Sequence, residues 1–362
     1  MTAERVLIRR LVLPYESMQT LYAENHEVRL YKNTLSGADQ VGKLIDTFGL
    51  EQSVAVQEAQ MVRGIDHANI APIRDVAVVE DPAYPPPMKL IEMIMPYYER
   101  GSVCDALDRG ELFGIGEACA HAQASLRGLG ELHEKLHILH RDFKSSNVFL
   151  SDDDDLVKIG DLGAAIRMED DGSAEAYPHV QLYTPPEVHP TRRVDRRSDV
   201  YGMGLLLFEM ANGPLPYAKY TIGDIEPRLR NGRPAPRPAD LQFGPNIPPR
   251  LRRVITKATA RKPDSRFPTA HAMSAAIGKI VLIDWREIFR DDTTVVWEGP
   301  RAGSRRQWRV EAKKLRRGGW RLSGLSYKNS WRRAVPDADV DQLVGAAATS
   351  FFDQLLDISA AS

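Results

Sequence analysis

One short stretch restricts the chain more than any other: HRDFKSSN, from His140 to Asn147, followed by the apolar run VFL and then by KIGDLG. It brings a carboxylate at Asp142, a cation at Lys144 and the amide of Asn147 close together, with a second carboxylate at Asp161. In a lone His-Arg-Asp triplet, such side chains most often cap the backbone groups of a turn. The fixed spacing of all four residues instead indicates a site built to handle charge.

This set closely resembles the catalytic loop and the metal-binding motif of eukaryotic-like (Hanks-type) Ser/Thr protein kinases. Phosphoryl transfer requires a protein to hold Mg²⁺, to neutralise developing charge and to orient one hydroxyl. The resemblance implies that Asp142 is the catalytic base, in a loop that also contains Arg141, and that Lys144 contacts the transferring phosphoryl group. It also implies that Asn147 and Asp161 hold the metal. The implied cofactors are ATP and Mg²⁺, with Mn²⁺ as an alternative metal.

Further landmarks of the kinase family follow in the expected order. The sequence TPPE, ending at Glu187, resembles the motif that closes the activation segment, and Asp199 stands where the family ties the catalytic loop to the next helix. Arg266, in KPDSR, matches the arginine that pairs with the closing glutamate. We therefore predict a buried Glu187–Arg266 ion pair, which would be costly to break on one side. The alternative is two separate surface charges.

Matches in the first hundred residues are weaker. Lys43, in VGKLI, fits the strand lysine that grips the ATP phosphates, and Glu58 fits the helix glutamate that pairs with it. For Lys43, a solvated lysine on a sheet edge is the alternative. The segment MIMPYYERGSV resembles the stretch beside adenine, with Met95 as the gatekeeper and Tyr97 and Tyr98 next to the base. The end of an ordinary buried strand would have the same pattern.

The sequence departs from the family pattern at two places. The segment from Leu21 to Glu27 contains no glycine where kinases place a Gly-rich loop over the phosphates, and Glu24 would repel them. Val180 stands where the family usually has a threonine that hydrogen-bonds the catalytic Asp and Lys. These departures leave efficient ATP turnover open, so a pseudokinase that signals by conformation is the first alternative.

The stretch from Asp161 to Glu187 is the expected activation segment. Because the arginine of such a catalytic loop commonly pairs with a phosphorylated residue, Arg141 points to a phosphosite in this segment. Ser173, in EDDGSAEAY, is the candidate. A solvated acidic loop without a regulatory role is the alternative.

Hydrophobic periodicity indicates how the chain is organised. The first 95 residues contain mainly β-type runs, with one helical pattern near 51–64, and helical patterns dominate after about residue 101. We predict an α+β, bilobal protein-kinase fold over residues 1–282, with a small β-rich N-lobe at about 1–95 and a large helical C-lobe at about 96–282. The prolines of EDPAYPPPM predict a loop between two N-lobe strands.

A small accessory domain, a β-meander plus a helix, is predicted for residues 283–362. All five tryptophans lie there, eleven or twelve residues apart, and residues 337–356 have helical periodicity. Between Arg301 and Arg333 many basic residues accompany a single acid, Glu311. One interpretation is that alternate side chains point inward, so that aromatic residues form a small core while basic residues keep the outer face soluble. A nucleic acid or an acidic protein partner is the alternative.

The composition argues against several other classes of protein. Hydrophobic residues at 43% and charged residues at 27%, with a net charge of -1, suit a globular chain rather than a disordered one. Cys104 and Cys119 lack partners at metal-ligand spacing, so neither a zinc site nor a disulfide framework is expected. No apolar stretch is long enough to span a bilayer, so we expect a cytoplasmic protein without a membrane partner.

The sequence therefore predicts a Ser/Thr protein kinase that transfers the γ-phosphoryl group of Mg-ATP to protein substrates in signalling or regulation. Lys144 favours Ser and Thr over Tyr as acceptors, because tyrosine kinases usually carry an Arg at a different position of this loop. Two other functions stay open: the pseudokinase, and a nucleic-acid-binding protein that acts through its basic C-terminal part under control of the kinase domain.

Overall fold

The structure is a computed structural model that describes residues 14–21, 27–46, 61, 65–79, 90–151, 157–301, 304 and 306–360. The chain divides into two compact units, one of residues 1–66 and 71–97 and one of residues 67–70 and 98–362. The predicted loop at residues 80–88 lies outside the described residues, and so does all but residue 61 of the helix predicted near 51–64.

The described part of the first unit is an antiparallel sheet. Its strands are β1 (Tyr15–Leu21), β2 (Val28–Asn33), β3 (Asp39–Asp46), β4 (Asp75–Val79) and β5 (Leu90–Pro96). They lie in the order β1-β2-β3-β5-β4. Strands β3 and β4 flank β5 on both sides, so β5 is an inner strand, and its residues Ile91 and Met93 are fully buried. This sheet is the strand-rich N-terminal region that the sequence predicts.

The second unit is mainly helical as far as residue 277. Its helices are α1 (Val103–Asp108), α2 (Ile115–Gly130), α3 (Val188–Thr191), α4 (Arg196–Asn212), α5 (Ile222–Arg230), α6 (Pro249–Ala258) and α7 (Ala270–Ile277). Three pairs of short strands connect them: β6 (Ile138–Leu139) with β9 (Ile166–Arg167), β7 (Val148–Leu150) with β8 (Val157–Ile159), and β10 (Ser173–Glu175) with β11 (Arg193–Asp195).

Two long helices carry the core of this unit. In α2 the buried residues Ala118, Ala122, Leu126 and Leu129 recur at three or four positions, which places them on one face. Every residue of α4 from Ser198 to Met210 is buried. A helix that is buried on all sides must be surrounded by protein, so α4 offers a rigid base for the segments packed on it.

The C-terminal part is a six-stranded antiparallel sheet with a helix. Its elements are β12 (Arg286–Arg290), β13 (Thr294–Pro300), β14 (Gln307–Lys314), β15 (Trp320–Tyr327), β16 (Trp331–Arg333), β17 (Ala338–Val340) and α8 (Ala346–Ala360). The first five strands follow one another in a meander, and β17 pairs with β15. Trp285 and Trp297 both pack edge-on against Phe352 of α8, with ring centres 5.3 Å apart. These aromatic contacts join the helix to the sheet.

The C-terminal helix begins later than its periodicity predicts. The expected start was residue 337, but residues 338–340 form β17 and the helix begins at Ala346. Asp339 accepts hydrogen bonds from Arg321 of the neighbouring β15 instead of lying at a helix N-terminus. Asp339 therefore belongs to the sheet, where it pairs with arginines.

The C-terminal part packs on the N-terminus of α2. Asp284 accepts a hydrogen bond of 2.6 Å from the backbone N–H of Gly116, and Arg286 forms an ion pair with Glu117. The glycine at position 114 leaves room for this carboxylate, since a Cβ there would lie 2.5 Å from Oδ1 of Asp284. Among the described residues, no helix is both long and apolar enough to cross a membrane.

Candidate active site

Asp199 of α4 fixes the backbone of the HRDFKSSN loop. Its carboxylate accepts hydrogen bonds of 2.9 Å from the backbone N–H groups of both His140 and Arg141, and the His133 ring lies 2.7 Å away. Burial works to raise the pKa of Asp199, but the hydrogen bonds and nearby charge of His133 and His140 outweigh it and hold the pKa below its usual range. The carboxylate therefore stays charged, as its tethering role requires.

The close packing of this loop on α4 depends on a glycine. A Cβ on Gly202 would lie 2.4 Å from the carbonyl oxygen of Phe143, closer than any real side chain allows. Arg141 adopts a left-handed backbone conformation with φ of 64°, which turns the chain sharply ahead of Asp142. The loop is thus held in an unusual conformation by buried contacts.

The loop brings together three of the residues predicted from the sequence. The ammonium of Lys144 lies 3.0 Å from Oδ2 of Asp142. The side-chain amide of Asn147 donates a hydrogen bond of 2.8 Å to the backbone carbonyl of Asp142 and is 3.5 Å from Oδ2. Oδ1 of Asp142 is buried and has no hydrogen-bond partner among the described residues. One oxygen of this carboxylate is thus occupied, while the other is left to accept a proton.

Asp161 is linked to the same loop through its neighbour Gly160. The backbone N–H of Gly160 donates to the carbonyl of Asn147 at 2.9 Å, and the carbonyl of Gly160 lies 3.0 Å from Nε2 of the buried His140. Asp161 itself has a left-handed backbone, with φ of 54° and ψ of 68°. Leu162, which follows it, is buried at 3% exposure and anchors this turn in the core.

The donors near this turn suit a hard divalent cation. The NH₂ group of Asn147 is used on the backbone, and its Oδ1 accepts only a long hydrogen bond of 3.4 Å from the hydroxyl of Ser146, which leaves a second lone pair for a cation. Asp161 supplies a carboxylate. The described residues contain no cluster of three or more His, Cys, Asp or Glu that would hold a metal. A metal here would thus depend on the amide of Asn147 as well as on carboxylates.

The activation segment contributes two residues that the sequence reasoning missed. Oε1 of Gln181 accepts a hydrogen bond of 3.3 Å from Lys144, and Nε2 of His179 lies 3.8 Å from Oδ1 of Asp142. Burial lowers the pKa of His179, which is therefore neutral near neutral pH. The sequence feature that could have pointed to these two residues is their position on either side of Val180, which replaces the threonine usual in the family.

Arg141 and Ser173 do not meet. The guanidinium of Arg141 donates to the backbone carbonyls of Ala164 and Glu175, at 2.5 and 2.8 Å. Ser173 lies in β10, where its hydroxyl donates to Asp171 at 2.6 Å and contacts Arg193. The arginine in contact with Ser173 is thus Arg193, whereas the guanidinium of Arg141 binds two backbone carbonyls of the activation segment.

Glu187 and Arg266 form the ion pair expected from the sequence. Arg266 donates hydrogen bonds of 2.7 and 2.6 Å to the two carboxylate oxygens, and its side chain is fully buried. The hydroxyl of Ser198 also donates to Glu187 at 2.8 Å, and the guanidinium lies over the ring of Tyr201, 4.8 Å from its centre. These contacts fix the end of the activation segment to α4.

The remaining predicted nucleotide-binding residues lie in both units. Lys43 is a buried residue of β3, paired in register with Met93 of β5, and Met95 of β5 pairs with Val41. Tyr97 follows β5, and its N–H donates to the carbonyl of Asp39. Tyr98, in the second unit, stacks on Phe149 with ring centres 5.4 Å apart. Glu58 and the glycine-free segment at residues 22–26 lie outside the described residues.

Several basic residues of the C-terminal part are paired with acids. Arg309 contacts Glu298 and Glu311 and lies over the ring of Trp331, while Arg317 and Arg321 share Asp339. Arg333 pairs with Asp337 at 3.1 Å. The sequence suggested one acid for the whole basic stretch, but strand pairing brings in three more from outside it. These ion pairs neutralise part of the positive charge of the stretch.

Comparison with known proteins agrees with this geometry. The family profile described as "Protein kinase domain" matches residues 28–276. Serine/threonine-protein kinase PknB of Mycolicibacterium smegmatis is 28% identical over 230 residues, covering 62% of this chain and 35% of that protein. Serine/threonine-protein kinase PrkC of Bacillus subtilis is 26% identical over 227 residues, covering 61% of this chain and 32% of that protein.

A mouse relative gives the same result. Serine/threonine-protein kinase Nek4 of Mus musculus is 28% identical over 246 residues, covering 66% of this chain and 29% of that protein. The chain thus spans about a third of the length of the curated relatives that it matches. Since the family profile covers more than half of the chain and includes the whole loop from His140 to Asp161, the chain belongs to the protein kinase family.

Proposed function

We propose that this protein transfers the γ-phosphoryl group of ATP to Ser and Thr hydroxyls of protein substrates. The observation that carries the proposal is the arrangement of Asp142, Lys144 and Asn147 on one loop whose backbone is held by a buried carboxylate. Phosphoryl transfer depends on positioning and charge more than on covalent chemistry, and this loop supplies both. The names of the relatives, all Ser/Thr protein kinases, support the same acceptor class.

The proposed roles follow from the geometry of the loop. The acceptor oxygen forms a bond to the γ-phosphorus, while the bond from that phosphorus to the bridging oxygen of the departing ADP breaks. The hydroxyl proton moves to Oδ1 of Asp142, because Oδ2 is already engaged by Lys144. The Lys144 ammonium, with three donors, would neutralise charge on the transferring group.

Asn147 and Asp161 are the proposed holders of the divalent metal, either Mg²⁺ or Mn²⁺. When bound, such an ion neutralises the negative charge of the ATP phosphate oxygens. For the nucleotide itself we propose Lys43, with Glu58 as its partner, at the phosphates. Met95, Tyr97 and Tyr98 are proposed for the adenine. The family resemblance supports these assignments, and the buried position of Lys43 in β3 is compatible with them.

The C-terminal part is proposed as an accessory domain over residues 283–362, beside a bilobal kinase domain over residues 1–282. Its contacts with the N-terminus of α2, and the hydrogen bond from Arg252 of α6 to Thr349 of α8, support a role in bracing the helical part. The pairing of its arginines with acidic residues gives little support to nucleic-acid binding.

The test compares the wild-type protein with Asp142→Asn, each incubated with labelled ATP, Mg²⁺ and a basic protein acceptor. We expect label on Ser and Thr in the wild type, and a loss of about 100-fold or more in the variant, since a general base contributes roughly that factor. Nucleotide binding should persist in the variant, whereas Lys43→Ala should weaken both binding and transfer. Nucleotide binding by the wild type without any transfer would instead support the pseudokinase.

A further inference from the structure

Gln181 lies next to a position at which this chain departs from the kinase pattern. The neighbouring Val180 carries no hydrogen-bonding group, so it can neither donate to Asp142 nor accept from Lys144. Oε1 of Gln181 lies 3.3 Å from the Lys144 ammonium, and the same ammonium lies 3.0 Å from Oδ2 of Asp142. Lys144 therefore links the catalytic carboxylate to the activation segment through the side chain of Gln181.

The backbone around Gln181 is held by a buried threonine. The N–H of Gln181 donates to the hydroxyl of Thr184 at 3.0 Å, and this hydroxyl donates to the carbonyl of His179 at 3.2 Å. The N–H of Thr184 in turn donates to the carbonyl of Gln181 at 3.2 Å. Thr184 has no exposed surface. The turn that aims Gln181 at Lys144 is therefore closed by three hydrogen bonds and is anchored in the core.

The chemistry of an amide suits this position. A neutral amide oxygen accepts a hydrogen bond from the ammonium without cancelling its charge, so Lys144 keeps its full charge for a phosphoryl group. A carboxylate at position 181 would compete with Asp142 for the same ammonium. The contact also keeps Lys144 on Oδ2 of Asp142, and Oδ1 has no hydrogen-bond partner within the described part of the chain.

We propose that Gln181 is a positioning residue that fastens Lys144, and through it Asp142, to the activation segment in place of a hydroxyl at position 180. The predicted effect of Gln181 on turnover rests on the kinase activity proposed above. The proposal accounts for the loss of the usual threonine without loss of the catalytic arrangement. Gln181 acts through Lys144 and is not itself expected to touch the transferring group.

The first arm of the test is kinetic and uses the full chain. Gln181→Leu should lower kcat by about 10-fold to 100-fold, as expected for a lost hydrogen bond to a charged group, with the KM for ATP unchanged within about twofold. The double variant Val180→Thr/Gln181→Leu should recover most of the lost kcat, because it restores a hydroxyl acceptor. Gln307→Leu, an exposed glutamine of β14, is the matched control and should leave kcat unchanged.

The second arm needs no catalysis. Amide hydrogen exchange over residues 177–184 is measured in the wild type, Gln181→Leu, Lys144→Met and the double variant Lys144→Met/Gln181→Leu. Each single substitution should speed exchange in this segment, and the double variant should exchange no faster than Lys144→Met alone, because both substitutions remove the same Lys144–Gln181 contact. This coupling would support the anchor even in a protein that transfers no phosphate, in which case only the proposed kinase activity fails. An active wild type in which Gln181→Leu changes neither kcat nor exchange would overturn the role of Gln181 while leaving the kinase activity intact.

Discussion

Arg266 donates one hydrogen bond to each carboxylate oxygen of Glu187, at 2.7 and 2.6 Å, across 79 positions of sequence. Both side chains are buried, and the guanidinium also donates to the backbone carbonyls of Ala260 and Arg197. The pair thus connects the end of the activation segment with the segment between α6 and α7. Its two-pronged geometry is one that a lysine could not reproduce.

Glu187→Gln should destabilise the protein strongly. The substitution preserves shape but leaves the charge of Arg266 buried without a counter-charge, for which we expect a loss of about 3–5 kcal/mol in the free energy of unfolding. Urea unfolding of the full chain measures it. The exposed pair Arg230–Glu226 is the matched control, and Arg230→Ala should cost at most about 0.5 kcal/mol. Equal losses for the two substitutions would contradict the role of the buried pair.

Asp284→Ala should weaken the contact of the C-terminal part with α2. The carboxylate accepts from the N–H of Gly116 in the first turn of the helix, where a negative charge is favoured, so we expect a loss of about 1–2 kcal/mol. Arg286→Ala, which removes a half-exposed ion pair at the same place, should cost less than about 1 kcal/mol. Urea unfolding of both variants measures the two losses in the free energy of unfolding. A larger loss for Asp284→Ala would support a specific cap of α2 by Asp284, and a larger loss for Arg286→Ala would refute it.

Local sequence patterns predicted the parts of the structure in which the interacting residues lie within a few positions of each other. The spacing of Asp142, Lys144 and Asn147 could be read directly, because a single loop brings them together. Helix α4 was also predicted, since apolar residues recur at helical spacing between Val200 and Met210. Glu187 and Arg266 could be paired only through the family resemblance, because nothing in either local sequence points to the other.

Contacts made across strands or by long side chains could not be predicted. The acids that pair with Arg309, Arg321 and Arg333 come from other strands or from beyond the basic stretch, so counting charges within the stretch does not reveal these ion pairs. The reach of Gln181 to Lys144 depends on a turn closed by Thr184. No short-range pattern in the sequence encodes that turn.

Ser173 should contribute little to activity. Its neighbour Arg193 is already neutralised by Glu169 through two hydrogen bonds, and Asp171 would repel an added phosphate. We therefore expect Ser173→Ala to keep kcat within about twofold. Arg141→Ala removes the two bonds to the carbonyls of Ala164 and Glu175 and should lower kcat by about tenfold or more. Steady-state kinetics with phosphosite mapping measure both, and an equal loss in the two variants would restore Ser173 as a regulatory site.

His179 should make the folded state sensitive to mild acid. Burial lowers its pKa below the ordinary value of 6.5, and its Nδ1 is buried without a hydrogen-bond partner among the described residues, so a proton there would find no acceptor. The unfolded chain binds this proton more readily than the folded one. Stability is therefore lost as the pH falls below about 6.5 and continues to fall toward the lowered folded pKa.

His179→Gln should reduce this loss, since glutamine keeps a polar side chain but does not titrate. Urea unfolding at pH 7.5 and at pH values below 6.5 should show a smaller drop in the free energy of unfolding for the variant than for the wild type. The exposed His271 provides the control, because its side chain is solvated before and after folding, and His271→Gln should leave the drop unchanged. His121, whose pKa is also lowered by burial, should retain part of the acid sensitivity in His179→Gln. A drop of the same size in His179→Gln and the wild type would show that the imidazole is accommodated in its charged form, with Asp142 as the nearest available counter-charge.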